Sequence, residues 1–248
     1  MTAPLTGVAV ITGASGGIGR AVALALVAHG MSLCLTGRDS GKLERVAREI
    51  GSRPAQLLVH GADLSSDDGI RGLVERVTSE LRRLDVLVHA AGSLRLGNVE
   101  DAGWDDLDEQ YRVNLRAPYL LTKAFLPKLK NSNGQVVFVN STAGLVAGAD
   151  NGAYAAMKHG LRSLAGSIRD HVNQYGVRVL SVYPGRTATP MQEAVHLFEG
   201  RRYELPNLLQ PSDVADVIVA AIALPRTAEA TDITVRPMKK PSPLKSGQ

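Results

Sequence analysis

The feature that most restricts how this chain can fold is an alternation of short, apolar, β-rich runs with longer segments of helical periodicity. Val8 to Thr12, Ser32 to Thr36, Gln56 to His60, Val86 to His89, Val136 to Asn140, Val177 to Val182 and Ile233 to Arg236 read as strands. Gly17 to Ala28, Ser40 to Ile50, Ser66 to Leu81, Trp104 to Lys130, Tyr154 to Gln174 and Pro211 to Ala223 read as helices. Near-continuous apolar strands are those of a sheet covered on both faces, and each strand–helix–strand crossover is right-handed. The expected fold class is therefore α/β, a doubly wound parallel sheet of about seven strands with helices on both faces.

At 248 residues, with only 3 Phe and 1 Trp, the chain suits one aliphatic core. A single domain over residues 1–236 is expected, with a mobile tail over 237–248. The net charge of +4 is matched by Arg236, Lys239, Lys240 and Lys245, which lie in a C-terminal stretch without an acid. The rest is balanced, so no nucleic-acid partner is expected. Met1 to Gly7 lacks a leader pattern, and Ala21 to Ala28 is too short to cross a bilayer. The lone Cys34 allows no internal disulfide. Together these predict a cytoplasmic protein that uses neither a membrane nor a metal.

In a doubly wound sheet, ligands bind beyond the C-terminal strand ends, where the strand order reverses. The distinctive residues fall there. Thr12 to Gly19 is a glycine-rich turn between a strand and a helix, in which Gly13, Ser15, Gly17, Ile18 and Gly19 bring backbone N–H groups to a pyrophosphate. Arg38 follows the second strand and can grip a 2′-phosphate, which favours NADP(H) over NAD(H), while Asp39 suits the N-cap of the next helix. Asp63 ends the third strand, where a carboxylate can accept from an adenine amino group or simply form a turn. Ala91 and Gly92 follow the fourth strand, Ser141 the fifth, and Pro184 and Gly185 the sixth.

Tyr154 and Lys158, four apart, share one helix face. A phenol with a pKa near 10 needs stabilisation to exchange a proton at neutral pH, and a neighbouring ammonium favours the phenolate. Ser141 would hold the substrate oxygen beside it. Tyr119 and Lys123 repeat the spacing, but mid-helix and without a serine partner. Pro118 cannot donate to the Asn114 carbonyl, so a kink is expected that frees this carbonyl to hold a water leading from Lys158.

In this combination, Thr12 to Gly19, Asn114, Ser141, Tyr154, Lys158, Pro184 and Gly185 resemble the short-chain dehydrogenase/reductase family along essentially the whole chain. The resemblance implies a Rossmann-type single domain with Asn114, Ser141, Tyr154 and Lys158 as catalytic tetrad. It also implies that Lys158 binds the nicotinamide ribose and that Thr189 contacts the carboxamide. The implied assembly is a homotetramer or homodimer, joined through the regions of Trp104 to Lys130 and Tyr154 to Gln174. The implied reaction moves a hydride between NADP(H) and a small alcohol or carbonyl substrate. Alternatives are an epimerase or dehydratase on the same scaffold, or a non-catalytic NADP(H)-binding sensor. One departure stands out: His89 and Ala90 replace the family's usual Asn-Asn, and His89 reads as a satisfied structural histidine. Residues 185–210, which mix apolar Met191, Val195, Leu197, Phe198 and Leu208 with Arg201 and Arg202, are expected to meet a mainly apolar substrate, the arginines forming an exposed pair.

Overall fold

The computed structural model describes residues 5–239. Seven parallel strands, β1 (Val8–Thr12), β2 (Ser32–Gly37), β3 (Leu57–Gly61), β4 (Val86–His89), β5 (Gln135–Val139), β6 (Arg178–Pro184) and β7 (Asp232–Val235), form one sheet. Their order is β3-β2-β1-β4-β5-β6-β7, so the winding reverses between β1 and β4. Every residue of β1, β2, β4, β5 and β6 is buried, as a sheet covered on both faces requires.

Helices α1 (Gly17–Ala28), α2 (Ser40–Ile50) and α8 (Pro211–Ile222) pack on one face around Leu26, Leu43 and Ile218. On the other, α3 (Asp67–Glu80), α5 (Ala117–Ser132) and α6 (Gly152–Val172) pack around Leu73, Phe125 and Leu161. The local chemistry that starts these helices is plain: Asp39 accepts from Lys42 N at 2.9 Å and Ser66 from Gly69 N at 3.0 Å, each satisfying a first-turn donor.

The long helix expected from Trp104 to Lys130 is three segments: α4 (Trp104–Tyr111), a π-helical turn over Arg112–Arg116, and α5. Ala117 N–H bonds back five residues to Arg112 O, and Pro118 follows at the start of α5. One inserted residue thus precedes the proline, whose nitrogen cannot donate to Asn114 O. A further helix, α7 (Pro190–Phe198), lies in the expected substrate segment. Of the expected tail, residues 240–248 lie outside the described residues. Among the described residues, no helix is long and apolar enough to cross a membrane, and no His, Cys, Asp and Glu cluster could hold a metal.

Candidate active site

The glycine-rich turn owes its shape to contacts that only glycine permits. A Cβ on Gly13, whose φ is +67°, would lie 2.6 Å from Ala91 N, and one on Gly19 would lie 2.3 Å from Gly13 O. Gly16 caps α1 with no side-chain bond, and its Cβ position meets nothing within 4 Å. Open space beside free N–H groups at a helix N-terminus fits a pyrophosphate. The far wall is tied down by Thr12, whose Oγ1 accepts from Ala90 N at 3.1 Å and Ala91 N at 3.2 Å. Thr189 reaches this loop as well: its Cγ2 is 3.1 Å from the Cβ position of Gly17, and its hydroxyl caps α7 by accepting from Gln192 N at 3.2 Å. Gly185 is packed against Arg236 and Pro237 at the end of β6, next to Pro184.

At the end of β2, Arg38 is largely exposed, its guanidinium 3.9 Å from Glu109 of α4, which Arg95 also holds at 2.9 Å. Gly37 leaves space that Ser15 Oγ approaches to 3.1 Å of a would-be Cβ. Asp63 uses its Oδ1 locally, accepting from Ser65 N at 2.9 Å and Ser65 Oγ at 2.8 Å, so its turn-forming use is present. The Ser65 backbone bond chiefly, and the Arg38 charge to a lesser degree, hold its carboxyl below the usual range.

Tyr154 and Lys158 sit at the start of α6 and are 9% and 3% exposed. The ammonium lies 5.6 Å from the Tyr154 ring centre and donates to Val139 O at 3.1 Å. Ser141 bonds the Tyr154 hydroxyl and is itself the cap of a short turn, accepting from Ala143 N at 3.1 Å. Thus three of the expected residues converge at the end of β5. Burial pushes Tyr154 up to about 12, which the Ser141 bond only partly opposes, and pushes Lys158 down to about 8. For the phenol, desolvation outweighs the Ser141 bond.

Asn114, in the π-helical turn, is buried, and its amide makes a two-way clamp on Ser93. Its Oδ1 accepts from Ser93 N at 3.0 Å, and its Nδ2 donates to Ser93 O at 2.7 Å. The turn lies against α6, where Gly160 makes room for Leu115. The Asn114 side chain thereby fixes the segment that follows Gly92.

Two residues near this cluster had no signal in the sequence. Asn140 accepts from Ser141 N at 2.9 Å and donates to Lys158 O at 3.1 Å, joining the serine strand end to the tyrosine helix. Gly144 makes this possible, since a Cβ there would lie 2.6 Å from Asn140 Oδ1 and 2.9 Å from Lys158 O.

His89 is only half satisfied. Its Nε2 pairs with Thr122 Oγ1 at 2.9 Å and its ring stacks on Phe138, but its buried Nδ1 has no hydrogen-bond partner. Burial pushes it down to about 3, so it is neutral. Arg201 and Arg202 are not an exposed pair: Arg202 is exposed, whereas Arg201 is largely covered and lies 3.1 Å from Glu199. Arg186 forks onto the same carboxylate at 2.7 and 2.6 Å.

Comparison with known proteins agrees with this architecture. The profile of the short chain dehydrogenase family matches residues 7–199. Oxidoreductase UcpA of Salmonella typhimurium is 34% identical, over 92% of this chain and 85% of its own. A metagenomic short-chain oxidoreductase solved with NADP superposes with a TM-score of 0.80 at 35% identity, over 94% of this chain and 97% of its own. A 3-ketoacyl-(acyl-carrier-protein) reductase from Brucella melitensis, solved with NADH, superposes at 0.81 with 26% identity, over 92% and 96%.

Proposed function

Because this chain belongs to the short-chain dehydrogenase family, and is on that ground an oxidoreductase, we propose that it moves a hydride between NADP(H) and the carbonyl or hydroxyl group of a small, mainly apolar substrate. The observation that carries this proposal is the convergence of buried Tyr154, buried Lys158 and Ser141 at one strand end. The glycine-rich turn supplies the cradle for the dinucleotide, with Gly13, Ser15, Gly17, Ile18 and Gly19 along the pyrophosphate and Ala91, Gly92, Pro184, Gly185 and Thr189 toward the nicotinamide.

The bound nicotinamide supplies the hydride. Ser141 holds the substrate carbonyl oxygen next to the Tyr154 hydroxyl. A phenol near 12 keeps its proton at neutral pH and gives it up only to a stronger base, such as the alkoxide that forms as hydride arrives. Lys158, near 8, can hold or release a proton close to neutrality and stands beside the phenol to restore it. The Asn114 carbonyl carries the water that links Lys158 to solvent.

The neighbours include complexes with both NADP and NADH, so the choice of cofactor rests on this chain's own residues. Arg38, exposed at the end of β2, supports NADP(H); Asp39 is engaged as a helix cap. Trp104, Leu107, Tyr111 and Tyr119 expose apolar surface on α4 and α5, which supports the family's homotetramer or homodimer; the proposed setting is the cytoplasm. Nicotinamide absorbance is the test: with a panel of ketones and aldehydes, NADPH should be consumed faster than NADH at equal concentration. Consumption of neither, by a chain that binds NADPH, would overturn the proposed reaction.

A further inference from the structure

Helix α7 packs inside out. A surface helix ordinarily turns its apolar side inward and its polar side to water. Here the covered side is polar: Gln192 and His196 bond one another, His196 is 4% exposed and meets the edge of Tyr203, and Glu199 is held by Arg186 and Arg201. Tyr203 in turn donates to Thr189 O at 3.3 Å, at the N-terminus of the helix. Burying polar groups is tolerable only when they are bonded to one another, and these are. The consequence is a fixed helix rotation that leaves Met191, Val195 and Phe198, at i, i+4 and i+7, together with Ala194, on one uncovered or half-covered stripe.

The stripe begins at the active site. Met191 Cε lies 3.8 Å from the Cβ position of Gly92, whose other neighbour is Asn114 Oδ1 at 3.3 Å. It ends at Phe198, which is 52% exposed, roughly 10 Å farther along the axis. An apolar stripe that starts beside a polar reaction centre suits an amphipathic ligand with its reacting oxygen at one end.

Building on the carbonyl reduction proposed above, we propose that the substrate is a medium-length alkyl ketone or aldehyde whose unbranched tail lies along Met191, Ala194, Val195 and Phe198. The polar underside of α7 serves to hold that stripe toward the tail. Each methylene removed from water on a half-covered surface should tighten binding by about twofold, approaching fourfold if fully enclosed.

The test uses 2-butanone and 2-octanone titrated calorimetrically into the chain with and without NADP+, a pairing that cannot react because ketone and cofactor are both oxidised. The expected result is 2-octanone at least about tenfold tighter than 2-butanone, with that ratio falling toward one in Phe198→Ser and Val195→Ser. A ratio near one in the wild type, or an unchanged ratio in both variants, would overturn the proposal. So would dissociation of a dimer or tetramer by Phe198→Ser with the ratio intact, since a second copy would then cover the stripe. Preference for 2-octanone without any NADPH-dependent turnover would overturn the reaction instead and leave the stripe as a tail site.

Discussion

Two tyrosine–lysine pairs with the same spacing occupy two helices of this molecule, and they share little else. On α6, Tyr154 and Lys158 are 9% and 3% exposed, and the lysine donates to Val139 O at the end of β5. On α5, Tyr119 is 47% exposed and Lys123 is exposed. A spacing of four fixes only that two side chains share a helix face. Whether they do chemistry depends on what that face meets. α6 meets a strand end with a serine and a carbonyl, so a phenol and an ammonium lose water together; α5 presents its pair to solvent.

The largest expected effect tests that contrast directly. Tyr154→Phe removes one hydroxyl from a packed ring, so fold and NADPH binding should persist while turnover falls at least about 100-fold, the scale for a lost general acid. Steady-state rates and cofactor titration on the same preparation check it. A loss below about threefold with cofactor binding unchanged would break the assignment of the α6 pair.

Arg38 sharpens the comparison, because it too is exposed yet stands at a strand end. If exposure alone made a cation inert, Arg38→Ala would change nothing. A 2′-phosphate contact predicts a loss of about 1.5 kcal/mol for NADPH, the low end for a hydrogen bond to a charged group because solvent surrounds the guanidinium. NADH should be almost unaffected, so the ratio of dissociation constants moves about tenfold, and less at high salt. Equal loss for both cofactors would mean that Arg38 supports the loop through Glu109 instead.

What the sequence made legible follows the range of the forces involved. The bounds of β1, β4, α1 and α2 could be read residue for residue, because caps and apolar runs act within a turn or two. Gly13 and Gly19 were legible as a tight turn, and Tyr154, Lys158 and Ser141 as a set by position relative to strand ends. Asn140 and Gly144 were not: their importance comes from a carbonyl on Lys158, which only the folded chain brings close. The π-helical turn escaped because Pro118 announces a lost bond and not how the backbone absorbs it. The polar face of α7 escaped for a related reason, since Gln192, His196 and Glu199 look solvent-facing until their partners are placed.

The burial of Lys158 should also show in how pH acts on stability. Lys158 titrates near 8 in the folded protein and at its ordinary value when unfolded, so between about pH 8 and 10 the unfolded chain holds the extra proton. Stability contributed by this site therefore rises with pH across that window, by up to about 1.4 kcal/mol per unit. In urea melts, wild type minus Lys158→Met should show that slope. A flat Lys158 difference would mean that the ammonium is better solvated than its burial implies. His89 gives the acid counterpart. Its folded value near 3 lies below the unfolded one, so stability should fall as pH drops below about 6.5, and His89→Asn should remove most of that fall. An unchanged acid melt in His89→Asn would show that the ring is protonated without unfolding.

The smallest expected effect is the control on which the comparison rests. Tyr119→Phe removes a hydroxyl from a ring that is 47% exposed on α5, where the oxygen is already in contact with water. Losing a solvated hydroxyl leaves no buried group unsatisfied, so stability should change by less than about 0.5 kcal/mol. Turnover should change less than about threefold, because the ring has neither a serine partner nor a strand end beside it. If Tyr119 contributes to contacts between subunits, the change would appear as a shift in sedimentation with concentration, while the rate per subunit of the intact assembly stays the same. A rate loss comparable to that of Tyr154→Phe, in an assembly of unchanged size, would assign the reacting phenol to α5. The buried pair at the end of β5 would then be a packing feature.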